Sequence, residues 1–286
     1  MNGPVVVGTD GSHPSIVAVE AAAREARLHG APLRVVHAYH PPALQPPLTE
    51  PQAARKQAEV VAADAAECAR VVEPGLGITP VATSGDALTV LEAESRSASL
   101  VVVGDRGRNA FTGLLLGSTG VQLAAHARSP VVVVREKWDP EGPVVLGVDG
   151  SPAAATAVEF AFAEAALRRV GVLAVHAWTP WNVELPQPED PSMPYAAAPG
   201  ELRAQEERLL AEALTGCRER YPDVVVEQLL VRGGTRESLV DATREAQLVV
   251  VGSRGRGGFA GLLLGSVSQA VLHHAHCSVA VVPGPR

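Results

Sequence analysis

Two kinds of apolar pattern alternate along this chain of 286 residues. Short runs rich in valine occupy residues 5–9, 100–103 and 131–134, more mixed apolar stretches occupy 33–39 and 78–83, and their length and β-branching predict strands. Between them the apolar positions recur at helical spacing. Ile16, Val19, Ala22, Ala23 and Ala26 form one stripe, with Ser12 placed to cap the helix and Gly30 placed to stop it. Further helices are predicted over 52–72, 86–95 and 118–127. Strands that are apolar throughout, alternating with helices, predict a parallel sheet covered on both faces.

The whole pattern then repeats. Val6-Val7-Gly8-Thr9-Asp10-Gly11-Ser12 returns as Val145-Leu146-Gly147-Val148-Asp149-Gly150-Ser151, and Val36-His37-Ala38-Tyr39 as Val175-His176-Ala177-Trp178, both at an offset of 139. Val102-Val103-Gly104-Asp105-Arg106-Gly107-Arg108 returns as Val250-Val251-Gly252-Ser253-Arg254-Gly255-Arg256, and Leu114–Ser118 as Leu262–Ser266, now at 148. The extra nine residues belong in the proline-rich stretch 179–200, longer than its counterpart 40–51. A period this long is a domain duplication, not a solenoid. The expected fold class is α/β: two tandem doubly wound domains, residues 1–137 and 143–286. Each is a five-stranded parallel sheet of order 3-2-1-4-5 with about four helices. The last strands, 131–134 and 279–282, are apolar edges without protection, which invites pairing.

Composition narrows the function. Hydrophobic residues make up 47% and charged residues 19%, so each half can bury a core, but aromatics at 3% leave it to be built from Val, Leu, Ile and Ala. A net charge of −7 argues against general nucleic-acid binding. Of 24 basic residues only Lys56 and Lys137 are lysines, an arginine excess that genomic composition explains as readily as phosphate chemistry does. Cys68, Cys217 and Cys277 lack disulfide or zinc spacing and read as buried thiols in a reducing compartment. With Met1 running straight into a strand and no apolar stretch of bilayer length, the expected location is the cytoplasm, without membrane insertion.

Doubly wound sheets bind ligands beyond the carboxyl ends of the strands where strand order reverses, here between the first and fourth strands. Asp10 and Asp149 leave the first strands, and Gly104 and Gly252 the fourth. From there the chain reads G-x-x-G, nine residues, then G-S: Gly104, Gly107, Gly117 and Ser118, and again Gly252, Gly255, Gly265 and Ser266. Glycines let backbone approach phosphate oxygens, the two serines open helices whose N-termini favour anions, and Arg106, Arg108, Arg254 and Arg256 can add positive charge. A single G-x-x-G is more often a turn; two copies of the longer pattern are not.

These residues make the chain resemble, over nearly its whole length and twice, a tandem universal stress protein of the type in which G-x-x-G-x(9)-G-[S/T] marks ATP binding. The resemblance implies nucleoside contacts at Asp10 and Asp149, adenine contacts to the main chain at Ala38 and Ala177, and phosphates held by the loop glycines and by Ser118 and Ser266. It also implies ATP with a divalent cation, Mg²⁺, at each site, and two halves arranged as a pseudo-twofold pair through their last strands. Asn109-Ala110 replaces the Gly257-Gly258 of the second copy, a departure that implies a stiffer or weaker first site.

Other candidate chemistry is weaker. Residues 255–260 fit a dinucleotide fingerprint by coincidence, and no Walker lysine motif occurs. His273, His274 and His276 lack a carboxylate or Cys partner for a metal, and His37 and His176 are repeated without a neighbouring nucleophile, so both groups read as structural. No catalytic residue is assigned. The expected function is an ATP-binding stress-response regulator, working as a homodimer and through a regulatory protein partner, with at most weak hydrolysis. The alternatives are a slow ATPase or nucleotidyl-transfer enzyme, and a nucleotide-stabilised interaction scaffold.

Overall fold

The computed structural model describes residues 3–40, 51–107, 117–135, 141–151, 154–179, 199–256 and 264–285. The first half runs β1 (Val5–Gly8), α1 (His13–Leu28), β2 (Leu33–Tyr39), α2 (Pro51–Val72), β3 (Ile78–Ser84), α3 (Ala87–Glu94), β4 (Leu100–Gly104), α4 (Ser118–His126), β5 (Val131–Val134). The second runs β6 (Val144–Gly147), α5 (Ala155–Arg168), β7 (Val172–Trp178), α6 (Pro199–Arg220), β8 (Val226–Arg232), α7 (Thr235–Ala242), β9 (Leu248–Gly252), α8 (Ser266–His274), β10 (Ser278–Val282). A short 3₁₀ turn, Thr243–Glu245, follows α7.

All ten strands join one sheet, ordered β3-β2-β1-β4-β5-β10-β9-β6-β7-β8. Each half is parallel with the 3-2-1-4-5 order expected from its alternation of strand and helix. The halves meet where β5 and β10 pair antiparallel, Val131 opposite Val281 and Val133 opposite Val279. Each last strand thereby covers the other's open edge, which removes two rows of unpaired backbone groups at once. The period of two along these strands sorts their side chains. Val132, Val134, Ala280 and Val282 enter the core beneath α1, α2, α5 and α6. Val131, Val133, Val279 and Val281 enter the opposite core beneath α3, α4, α7 and α8. Both cores therefore run through the two halves without interruption.

Several local expectations need correction. Ser12 stands at the N-cap of α1, but its side chain makes no capping bond. Its backbone N–H is instead held by Asp10 Oδ1 at 3.0 Å, and the hydroxyl work passes to Ser15. Gly30 ends the segment as expected, with φ of +61°. Of the three cysteines only Cys277 is buried; Cys68 and Cys217 are half-buried, lying on helices α2 and α6 whose buried stripes fall on other residues.

A buried charge cluster sits where α1 meets α5, and it is symmetric about the relation between the halves. Glu25 and His29 of α1 map at the offset of 139 onto Glu164 and Arg168 of α5. Arg168 reaches Glu25 at 2.5 Å and Glu164 at 2.6 Å, while His29 Nε2 lies 2.9 Å from Glu164 Oε1 and 3.9 Å from Glu25 Oε2. Glu164 is only 1% exposed. Burial raises the Glu25 carboxyl above its ordinary value, with Arg168 opposing. Burial alone would lower His29, but the two carboxylates outweigh it and raise it. With His29 protonated the four charges cancel.

Candidate functional site

The ends of β6 and β9 diverge above the sheet and open a cavity of about 880 Å³ in the second half. That lies inside the span of roughly 300–1,000 Å³ typical of small-molecule sites. Its walls come from the β6 end (Gly147, Val148, Asp149), the β7 end (His176, Ala177, Trp178), Glu206 of α6, the start of α7 (Gly234–Glu237 and Leu239), and the β9 exit with Arg254, Gly255 and Arg256. Gly265 and Ser266 close it at the head of α8. Every second-half residue singled out from the sequence, Asp149, Ala177, Gly252, Gly255, Gly265 and Ser266, is in this lining. The strand-order reversal brings them together.

Asp149 is the hub. Its Oδ1 accepts from Ser151 N at 2.9 Å and Ser151 Oγ at 2.7 Å, and its Oδ2 accepts from Arg256 N at 2.8 Å. One carboxylate thus ties the turn after β6 to the loop after β9. The glycines of that loop answer to crowding. A Cβ on Gly255 would run into Asp149 Oδ2, and one on Gly252 would stand 3.1 Å from Arg254 O. Gly150, at φ +71°, is pressed against Leu209 and Arg256. Gly265 is the N-cap of α8 and supplies no side-chain cap, so the helix presents its first N–H groups and the positive end of its dipole to the cavity. Arg254 and Arg256 line the same wall.

The first half repeats this frame. Asp10 Oδ1 accepts from Ser12 N, and a Cβ on Gly107 would lie 2.8 Å from Asp10 Oδ2. A Cβ on Gly104 would stand 2.7 Å from Pro14 O. Gly117 caps α4 without a side chain and Ser118 opens it, while Ala38 lies half-buried near the end of β2. Residues 108–116 and 257–263 fall outside the described residues, and with them Arg108 and the contrast between Asn109-Ala110 and Gly257-Gly258.

The most consequential residue the sequence reading missed is Glu206. It is 3% exposed and its Oε2 lies 2.5 Å from Nε2 of His176, whose Nδ1 donates to Val148 O at 2.7 Å. His37 makes the matching bond to Thr9 O at 2.8 Å. At the offset that relates α2 to α6, however, the counterpart of Glu206 is Ala58. A carboxylate standing where the first copy has an alanine was the available signal. Trp178, with Arg232 5.9 Å above its ring, completes the wall on this side.

Fold and cavity together define a paired doubly wound protein with a crevice at a switch point. The comparisons with known proteins place the fold in a family. The family model described as the universal stress protein family matches residues 1–135 and again 142–283. A universal stress protein of Mycolicibacterium smegmatis is 40% identical over 292 residues, covering 97% of this chain and 96% of its own. One from Mycobacterium tuberculosis is 37% identical over 311 residues, covering 99% and 95%. The crystal structure of a universal stress protein from Archaeoglobus fulgidus superposes with a TM-score of 0.70 at 20% identity, covering 99% and 96% of the two chains. The chain belongs to the universal stress protein family.

Proposed function

We propose that this protein binds ATP, one molecule per half, and acts as a nucleotide-responsive regulator of stress physiology. The observation that carries the reading is the second-half cavity. It joins a helix N-terminus without a side-chain cap, two arginines, a glycine loop crowded at Gly252 and Gly255, and a strand-end carboxylate. The first three suit a polyphosphate; the apolar wall of Ala177, Leu239 and Trp178 suits a base. The backbone near Gly252 and Gly255 and the hydroxyl of Ser266 would hold the phosphates, and Mg²⁺ would neutralise part of their charge. In the first half, Gly104, Gly107, Gly117 and Ser118 would do the same. Asp149 and Asp10 would accept from the ribose while keeping the loop in place.

Denaturing purified protein and weighing what it releases tests the reading, together with calorimetric titration with Mg·ATP. The expected result is an adenine nucleotide and a stoichiometry of two. Protein that carries none and takes up no ATP at millimolar concentration rules the reading out.

A further inference from the structure

The two copies hold the turn after their first strand by different chemistry. In the first half Thr9 Oγ1 and Ser15 Oγ lie 3.0 Å apart, Gly11 N donates to Thr9 Oγ1 at 3.2 Å and Asp10 N to Ser15 Oγ at 3.3 Å. Two hydroxyls, one from α1, thus brace the peptide that carries Asp10. The matching residues of the second half are Val148 and Ala154, which have no hydroxyl. Both halves also hold the turn from its other side, through His37 on Thr9 O and His176 on Val148 O, and in the second half Glu206 backs the histidine. A carbonyl oxygen only accepts, so His176 Nδ1 carries its proton toward Val148 O, and the second proton lies between Nε2 and Glu206 Oε2. Both side chains are 3% exposed. Val148 immediately precedes Asp149, and Asp149 holds Arg256 N in the phosphate loop. The chain of contacts therefore runs from α6 through His176 and Val148 to Asp149 and the loop.

We propose that Glu206 is a positioning residue of the second-half site: acting through His176, it stands in for the hydroxyl brace of the first half and sets Asp149 and, through it, the phosphate loop. The proposal rests on the ATP reading given above. It makes the sites unequal: only the second depends on a helix α6 carboxylate, because the first has Ala58 in that place. The other charged residues lining the cavity are Asp149, Arg236, Glu237, Arg254 and Arg256, whereas the imidazole nitrogens are bonded to Val148 O and Glu206.

The test is calorimetric titration of the full chain with Mg·ATP, with the first site disabled by Gly107→Val. Adding Glu206→Ala should weaken the remaining site about tenfold, equivalent to about 1.4 kcal/mol. Glu206→Gln, which can still hydrogen bond to Nε2, should recover most of the affinity. Val148→Thr with Ala154→Ser, which transplants the first-half brace, should do so in the Glu206→Ala background. Glu206→Leu fills the same space without a hydrogen bond and serves if the alanine variant does not fold. Unchanged affinity in folded Glu206→Ala or Glu206→Leu overturns the proposal while leaving the ATP reading standing. A loss that neither Glu206→Gln nor the transplanted brace repairs also overturns it, since Glu206 would then act on the ligand itself. No ATP uptake by the unaltered protein strikes the reading beneath, not the brace.

Discussion

The halves of this chain share a strand order, a turn and a glycine loop, yet they differ in the helix that lies beside the site. The buried face of α2 is alanine, with Ala58, Ala62, Ala65, Ala66 and Ala69 nearly inaccessible. The matching face of α6 carries Glu206, Leu210 and Leu214 instead. Small side chains let α2 lie close to α1 and the sheet; larger ones hold α6 differently and leave room for a carboxylate beside His176. The loops differ as well. The first begins with Asp105, whose carboxylate lies 3.5 Å from Arg106 Nε, and the second with neutral Ser253. In the second half Ser268 Oγ also donates to Gly252 O at 2.6 Å, where the first half has Gly120. Duplication preserved the parts that place the backbone and let the parts that tune it diverge.

The contrast is sharpest at the contact between halves, where breaking it has the largest expected effect. Glu164 is in close contact with both cations of the cluster, whereas Glu25 is close only to Arg168. Glu164→Ala should destabilise the fold by roughly 3–5 kcal/mol, the usual result of leaving buried charge unpaired. Glu25→Ala should cost less, because Glu25 is more exposed. Urea unfolding of the two variants measures the difference, and equal losses would mean that the symmetry of the cluster outweighs its burial.

Next in size is loss of one site at a time. Gly255→Val drives a side chain into Asp149, and Gly107→Val one toward Asp10. Each should lower the ATP stoichiometry from two to one, and the double variant to none. Calorimetry that still finds two sites in either single variant would show that the loops tolerate a side chain.

A smaller effect separates His29 from its symmetry mate Arg168. The folded protein raises His29 above its ordinary value of 6.5, so its stabilisation is complete below that value and is lost as pH rises through the higher folded value. Glu25, also raised, works in the same direction at more acidic pH. Thermal melting should therefore fall from mildly acidic to mildly alkaline pH. His29→Arg, which copies the second half, should flatten that part of the profile. An unchanged slope in the variant would assign the dependence elsewhere. The smallest effect concerns helix starts. Asp86 accepts from Leu88 N at 3.0 Å and Thr89 N at 3.3 Å at the head of α3, where α7 has Gly234 and no side-chain cap. Asp86→Ala should cost about 1 kcal/mol in chemical denaturation, a loss that the second half cannot suffer at Gly234.

Much of the site was legible because it depends on spacing. A side chain at Gly104 or Gly252 would crowd backbone, and one at Gly107 or Gly255 would crowd Asp10 or Asp149, so few residues fit and repetition exposes them. Ser12 misled because a Ser before a helical stripe suits a cap, while the actual bond depended on where Asp10 and Ser15 lay in space. Cys68 and Cys217 misled because average cysteine burial says nothing about which face of a helix a residue occupies.

The sequence by itself determined the duplication, the alternation of strand and helix, the strand order and the meeting of aspartate and glycine loop. Each of these follows from local periodicity and from the few ways a right-handed βαβ unit can be wound. Only the tertiary structure decided that Glu206 meets His176 and that Glu25, His29, Glu164 and Arg168 close on one another between α1 and α5. The residues in each group come from separate elements, 30 positions apart in the first and up to 143 in the second. Burial then turns what would be ordinary solvated charges into partners, because a buried charge must find its opposite within the protein.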